Sequence, residues 1–264
     1  MSRQCAFGLR LVIAALVIIA ALWGALWSNV EYQVHRARFM LAELSRIQVG
    51  DTEASVLPLV RRYAGSKWTP EPLPPRDQWL DKDEYDYQTG HEIDYKYRLG
   101  LDTFGGPVAV PINGWTEAFG SAREHVPVSL RPLLGLRGWG IEVDISIRRG
   151  HVQSVSVETL VEGRSQWVGH SWELADRMPR SHMPSRAYAI GSAHLTTRDG
   201  GGEIITNFFT PAASKEEVEA ARIFNVECLT SLRGCGICDV APRALEYLEC
   251  HPDAAWNIIP PKCP

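Results

Sequence analysis

The residues best suited to chemistry are five cysteines close to the C-terminus: Cys228, Cys235, Cys238, Cys250 and Cys263. They follow the pattern C-x6-C-x2-C-x11-C-x12-C, whereas the sixth cysteine of the chain lies at position 5. Thiols at these spacings can form disulfides, act as a redox pair or bind zinc. Because five is an odd number, we expect one thiol of this cluster to be free or to pair with another chain.

A helix before the cluster bears on the choice among these roles. Ser214 and Glu217 form a capping-box pattern that predicts a helix start. Val218, Ala221, Phe224 and Cys228 then follow at helical spacing, so we expect Cys228 to face the core. The favoured interpretation is therefore a structural disulfide from Cys228 to Cys235 or Cys238, which would join the helix to the loop after it.

Two other roles for the cluster stay open. Cys235 and Cys238 form a C-x-x-C pair, but the chain lacks the βαβ setting in which such redox pairs work. Zinc could be bound by Cys228, Cys235, Cys238 and either Cys250 or His251, although all-thiolate zinc is uncommon in an oxidising compartment. We predict neither a cofactor nor a metal.

Other residues of catalytic type do not form a recognisable set. The pair His91-Glu92 lacks the second histidine of a zinc-protease helix, and no G-x-S-x-G motif occurs. The remaining candidates lack metal-ligand spacing: His170, Glu173, His182 and His194. We therefore predict no catalytic residue, and a protein that is not an enzyme.

The N-terminal segment decides the compartment. Every residue from Leu11 to Trp27 is apolar or Gly, and residues 7–27 are long enough to cross a bilayer. Arg3 and Arg10 precede the apolar run without any acidic residue, so the positive-inside rule keeps residues 1–6 in the cytoplasm. The bulky Trp27 favours an uncleaved anchor over a cleaved signal peptide. We predict a single-pass protein of the cytoplasmic (inner) membrane with its C-terminal domain outside.

The exported part is acidic. Residues 28–264 hold 25 Lys and Arg against 31 Asp and Glu, a formal charge of −6. Such a charge makes nucleic acid a poor partner, and we predict none. The predicted location outside the membrane permits disulfides between the C-terminal cysteines.

Residues 28–66 are expected to form a stalk helix and a helical pair. Val30, Val34, Ala37, Leu41 and Leu44 recur at alternating spacings of four and three. Gly50 is predicted to end this helix, and Asp51 or Thr52 to cap a second one before Gly65. We expect the apolar stripe to pack on the protein's own domain; a homodimer through the stalk helix is the alternative.

The helical pair LAELSRIQVGDTEASVLPLVRRYAG, residues 41–65, resembles the opening of the BamE/SmpA envelope lipoproteins. That resemblance implies a helical pair packed on a small antiparallel sheet and a non-catalytic accessory role in the envelope. This chain lacks the lipid-attachment cysteine of the family, carries Pro58 within the second helix and is much longer. The tail ARIFNVECLTSLRGCGICDVAPRAL resembles cysteine-bearing tails of bacterial membrane-anchored proteins, which implies no activity.

Residues 67–90 are predicted to be a linker, Pro-rich at first and then acidic. WTPEPLPPR holds four prolines, and an acidic, Tyr-rich stretch follows it. Asp81, Asp83 and Asp86 do not fit the EF-hand pattern. We expect an acidic loop that leads into an edge strand.

Residues 91–212 are predicted to be an antiparallel sheet domain. WGIEVDISIRRGHVQSVSVETLV alternates apolar and polar residues around Arg149-Gly150, which predicts a hairpin with a bulge beside its turn. SQWVGHSWEL, SRAYAIGSAHLTT and GEIITNFFT predict three more strands, the last two joined by a Gly-rich turn at 198–202. Because no helix separates these strands, we expect an antiparallel meander.

The predicted fold class is therefore α+β. An N-terminal transmembrane helix leads to helices packed on an antiparallel β-meander, and residues 213–264 form a C-terminal helix and a Cys-rich tail. We expect a non-catalytic binding or structural role with an envelope protein partner, and anchoring in the lipid bilayer through residues 7–27. The alternative is a thiol-disulfide or zinc-binding protein that uses Cys235 and Cys238.

Overall fold

The structure is a computed structural model of the 264-residue chain. It describes residues 3–69, 75, 93–102, 125–127, 130–131, 137–164, 166–176, 187–197 and 200–255, with no side-chain detail for 3–9, 192–197, 200 and 201. The rest of the predicted linker, the acidic triad, His91-Glu92, His182 and Cys263 lie outside these residues.

The first element is one long helix, α1 (Arg3–Leu44). Among the described residues it is the one helix long and apolar enough to cross a membrane, and none of its most apolar window is buried within the protein. Leu11 to Trp23 expose their large side chains, whereas Val30, Val34, Ala37, Met40 and Leu44 are buried. The first part of α1 is thus apolar and exposed, whereas its C-terminal part belongs to the core.

The second helix, α2 (Glu53–Arg62), packs beside the end of α1 and contains Pro58. The prediction that Gly50 ends the first helix was wrong, because α1 ends at Leu44 and a short turn follows. Gly50 has a φ of 91° and its amide donates to the carbonyl of Val152, so it belongs to the connection that meets the sheet. Of the predicted stripe on α1, Val30, Val34, Ala37 and Leu44 are buried within the chain and Leu41 is half-buried.

Seven strands form one sheet in the order β1-β2-β3-β4-β5-β7-β6. Their bounds are β1 (Ser66–Trp68), β2 (Tyr95–Asp102), β3 (Trp139–Arg148), β4 (His151–Glu162), β5 (Trp167–Ala175), β6 (Tyr188–Thr197) and β7 (Gly200–Phe209). Lys67 and Trp68, which the sequence placed in the linker, pair with β2. Consequently β2 is not the edge strand that we expected.

The sheet is mixed, so the prediction of an antiparallel meander was wrong. From β1 to β5 each strand pairs antiparallel with the next, but β7 lies between β5 and β6 and runs parallel to β5. After β5 the chain first forms the outermost strand, β6. The hairpin between β6 and β7 then places β7 between β5 and β6. Ile204 and Ile205 of β7, which point to opposite faces, are both buried, as an interior strand requires.

Two turn regions show how local sequence shapes the sheet. Arg149 and Gly150 have φ values of 52° and 75°, and the register shifts beside this turn, so the predicted hairpin and bulge are confirmed. Gly200 and Gly202 belong to β7 and not to a loop. A Cβ on Gly202 would lie 2.5 Å from the carbonyl oxygen of Trp167, so this pairing requires glycine.

The C-terminal helices are short: α3 (Lys215–Arg222), a 3-10 turn (Val226–Leu229), α4 (Ile237–Val240), α5 (Pro242–Cys250) and a second 3-10 turn (Pro252–Ala254). The capping box at Ser214 and Glu217 is confirmed. The helix predicted to reach Cys228 ends at Arg222, because the backbone becomes extended at Ile223 and Asn225 caps a new turn. Phe224 and Cys228 are buried all the same.

The core lies on one face of the sheet, where the apolar side chains of β2 to β5 and β7 share a cluster with α1, α2 and the C-terminal helices. The opposite face of the same strands carries half-exposed polar side chains. Among the described residues, the helices thus cover one side of the sheet, and the other side of β2 to β5 carries these polar side chains.

Candidate functional site

The cysteine cluster contains a disulfide between Cys228 and Cys235. Cys228 is fully buried and Cys235 almost so, and seven positions separate them. The bond closes a small loop that lies against the turn between β4 and β5: a Cβ on Gly163 would be 2.6 Å from the carbonyl oxygen of Cys235. Cys228 is thus paired with one of its two expected partners, but the disulfide joins the loop to the 3-10 turn Val226–Leu229 and not to the end of α3.

The other cysteines do not form the pair that the redox alternative needs. Cys238 is bonded in a separate disulfide, so Cys235 and Cys238 are not joined to each other. Cys250 is an exposed free thiol. Within the described part of the chain, no group of three or more His, Cys, Asp or Glu side chains is arranged to hold a metal ion.

The polar candidates from the sequence are dispersed over the fold. His170 and Glu173 both lie on β5, but three positions apart, so they point to opposite faces. His251 follows α5 and stacks on Tyr247, with ring centroids 4.1 Å apart. His194 lies on β6, and its side chain is among those not described. The structure brings none of these residues together.

His170 is nevertheless unusual, because it is a polar side chain inside the core. It is 1% exposed, and neither ring nitrogen makes a well-formed hydrogen bond, although the backbone of Ala221 lies close enough to offset part of the effect of burial on its pKa. Its ring stacks on Phe224 with centroids 6.3 Å apart. Burial lowers the pKa of His170 to about 4. At neutral pH the residue is an uncharged ring that fills space between the sheet and the helices.

The polar sheet face brings together many charged and hydroxyl side chains of the described residues. We define it as the half-exposed polar residues of β2, β3, β4, β5 and β7: Lys96, Arg98, Glu142, Asp144, Ser146, Ser154, Ser156, Glu158, Ser171, Glu173 and Thr206. Strand register aligns them in rows across the sheet. One row runs through Glu142, Glu158, Ser171 and Thr206, and the next through Arg98, Asp144, Ser156 and Glu173.

The cations of this face all contact one side of it. Lys96 Nζ lies 2.6 Å from Asp144 Oδ2, and Arg98 binds Asp144 through Nε and NH2, each at 2.9 Å. Arg98 Nε is also 3.1 Å from Glu142 Oε1. The hydrogen bonds from these two cations outweigh the burial of Asp144, so the pKa of Asp144 is lowered. Arg98, Lys96 and Asp144 form a tight cluster at the β2 end.

Two carboxylates at the β4 and β5 end have no such partner. Glu158 on β4 lies directly opposite Glu142 on β3. In the next row, Ser156 lies between Asp144 and Glu173. Neither Glu158 nor Glu173 makes a hydrogen bond or ion pair within the described residues. Burial first, and then the charge of Glu142, raises the pKa of Glu158; burial and the charge of Asp144 raise that of Glu173. The face thus presents excess negative charge that the described chain does not neutralise.

The helical layer is connected to α1 by Arg222. Its guanidinium donates to the carbonyls of Ser45 and Ile47, just past the end of α1. It also lies 5.0 Å from the ring centroid of Trp172 and 4.9 Å from that of Phe209. Burial lowers the pKa of Arg222 to about 10. A cation at this position complements the carbonyl end of the helix.

Sequence reasoning missed both Arg222 and the unpartnered pair of carboxylates. Alternation on β3 did place Glu142 and Asp144 on the face opposite the core, which is confirmed. No local signal shows that Glu158 lies opposite Glu142, because that depends on hairpin register.

Comparisons with known proteins found no family, no curated protein and no solved structure that matches this chain.

Proposed function

We propose that this chain is a single-pass membrane-anchored protein with a non-catalytic binding role, and that the polar sheet face is its partner-binding surface. The observation that carries the proposal is the pair Glu158 and Glu173, two half-buried carboxylates without a partner among the described residues. Holding such groups without compensation is unfavourable. A partner that presents Lys or Arg side chains would neutralise them.

The proposed geometry uses both ends of the face. Lys96 and Arg98 form ion pairs with Asp144, so the β2 end of the face carries little net charge that a partner could bind. Ser171 and Thr206, whose hydroxyls are 3.1 Å apart, lie in the same row as Glu158 and supply donors and acceptors for a polar contact. A basic segment lying along β4 and β5 would meet the two free carboxylates and these hydroxyls together.

The proposed topology follows from the anchor. Arg3 and Arg10 before the apolar run favour a cytoplasmic N-terminus, with the sheet domain in the envelope outside the inner membrane. The disulfide between Cys228 and Cys235 supports an oxidising compartment. The resemblance of residues 41–65 to BamE/SmpA proteins adds to the proposal of an accessory role. The partner is accordingly an envelope protein with a basic surface.

Site-specific photocrosslinking of the full chain in intact membranes tests this function. A benzophenone amino acid at Ser171 should capture a stoichiometric protein partner, whereas the same probe at exposed Glu216 on α3 should not. The double substitution Glu158→Gln and Glu173→Gln should abolish the crosslink from Ser171. It keeps side-chain shape and removes uncompensated charge, so the fold should be retained.

The matched control is Glu216→Gln with Glu219→Gln, which removes the same charge from exposed positions on α3. This variant should crosslink from Ser171 as the unaltered protein does. Absence of any captured protein at Ser171, or a crosslink that survives loss of both Glu158 and Glu173, would contradict the proposal.

A further inference from the structure

A groove of about 490 Å³ lies beside α1, just past the apolar span, and is lined by Tyr32, Arg36, Phe39, Arg62 and Tyr63. The first three residues follow at spacings of four and three on one face of α1. The other two lie at the C-terminal end of α2. The groove therefore exists only because α2 packs against α1, and we call it the juxtamembrane groove.

Arg36 is the central cation of the groove. Its guanidinium lies 5.9 Å from the ring centroid of Tyr32 and 5.8 Å from that of Tyr63. NH1 donates to Gln33 Oε1 at 3.3 Å, and Arg36 makes no ion pair within the described part of the chain. The two rings and the amide thus orient a guanidinium whose remaining N–H groups are available to a ligand.

The charge of the groove is positive on balance. Arg62 forms an ion pair with Glu43, and 57% of the Arg62 side chain is exposed. Two guanidinium groups therefore face one carboxylate. Planar guanidinium groups match the geometry of phosphate oxygens better than an ammonium does. A phosphate is the ligand chemistry that this arrangement favours.

The position of the groove relates this phosphate to the bilayer. Tyr32 lies five residues past Trp27, or about 7 Å along the helix, and Arg36 about 13 Å. The headgroup layer extends about 5 to 8 Å beyond the hydrocarbon on each side. Helical side chains tilt toward the N-terminus, so the side chains of Arg36 and Phe39 point back toward the membrane. The open lip of the groove therefore lies at headgroup depth.

We propose that the juxtamembrane groove binds the phosphate of an anionic phospholipid headgroup. Arg36 and Arg62 donate to the phosphate oxygens, and the half-exposed rings of Tyr32 and Phe39 contact the glycerol region, as aromatic residues do at membrane interfaces. Phosphatidylcholine and phosphatidylethanolamine carry the same phosphate, but their ammonium group would lie beside the guanidinium groups of Arg36 and Arg62 and be repelled by them. The groove thus distinguishes anionic from zwitterionic lipid.

Native mass spectrometry of the full chain in detergent micelles tests this site, with phosphatidylglycerol or phosphatidylcholine as the titrated lipid. The unaltered protein should bind phosphatidylglycerol more tightly. Arg36→Gln and Arg62→Gln should each weaken that binding about tenfold, as expected for loss of a charge-assisted hydrogen bond. The controls Arg38→Gln and Arg61→Gln remove exposed cations from the same two helices outside the groove, and should change the affinity less than about twofold.

Three results would overturn the proposal. Equal affinity for the two lipids would exclude headgroup selection, and equal losses in Arg36→Gln and Arg38→Gln would indicate diffuse surface attraction. Displacement of phosphatidylglycerol by inorganic phosphate at matching concentration would show that the ligand is free phosphate. Arg62→Gln changes a mostly exposed side chain, so it keeps the test valid if Arg36→Gln does not fold.

Discussion

Removing the buried imidazole should make the protein resistant to mild acid. His170 is enclosed between β5 and the helical layer with neither ring nitrogen in a well-formed hydrogen bond, and burial lowers its pKa to about 4. In the unfolded chain the pKa returns to about 6.5. Between these two values the unfolded state binds more protons, so the stability of the folded state rises with pH across this window.

The magnitude follows from the difference between the two pKa values. The stability that depends on neutral His170 is fully present above about pH 6.5 and lost progressively toward pH 4. The complete loss is about 3 kcal/mol, and about 2 kcal/mol of it has occurred at pH 5. His170→Leu should abolish this loss. At pH 7 the variant should be about as stable as the original, because the His170 ring makes no well-formed hydrogen bond that the substitution would remove.

Urea unfolding of the full chain in mild detergent, at pH 7 and pH 5, measures the effect through the tryptophan fluorescence of the sheet and its helical layer. Carboxylates such as Asp144 contribute equally to both proteins, so the difference between the two pH-dependent losses isolates His170. His151→Gln removes an exposed histidine at the β3–β4 turn and should keep the full loss. The reasoning is refuted if His170→Leu loses as much stability at pH 5 as the unaltered protein.

Three further changes concern the C-terminal segment. Cys228→Ser should lower the unfolding free energy measured in urea by about 2 to 3 kcal/mol, because it opens a short disulfide loop. The control Cys250→Ser, at the exposed free thiol, should change that free energy by less than about 0.5 kcal/mol. Gly163→Ala should cost about 1 to 3 kcal/mol in the same assay because its Cβ would meet two carbonyl oxygens at 2.6 Å, while Gly140→Ala, with its nearest contact at 3.9 Å, should cost clearly less. Ser214→Ala removes the capping bond to the Glu217 amide and should lower the melting temperature, equivalent to about 1 kcal/mol; no change would mean that α3 does not depend on its cap.

The two proposed binding surfaces can be tested separately, although both rest on the proposed membrane anchor. The polar sheet face and the juxtamembrane groove share no residue, and their charges have opposite sign. A variant of Glu158 should therefore leave lipid binding unchanged, and a variant of Arg36 should leave partner crosslinking unchanged. The first surface would select a basic protein, and the second an anionic lipid.

The sequence by itself determined the features that depend on a few adjacent residues. The uninterrupted apolar run from Leu11 to Trp27 dictates a helix that can cross a membrane. Alternation on β3 and the Arg149-Gly150 turn dictate a hairpin, and Ser214 with Glu217 dictates a helix start. In each case the responsible atoms are close in the chain, so propensity, periodicity and capping settle the local structure before any tertiary contact forms.

Only the tertiary structure decided which of these elements are neighbours. Alternation assigns a residue to a face of the sheet, but it does not say that β7 pairs with β5 and leaves β6 at the edge. The same applies to the choice of Cys235 over Cys238 as the partner of Cys228, which depends on how the loop lies against Gly163. The juxtamembrane groove unites Arg36 with Arg62 across two helices. Such contacts arise because the chain adopts the arrangement that buries all its apolar faces together. Alternative arrangements of the same elements cannot be compared from a short window of sequence.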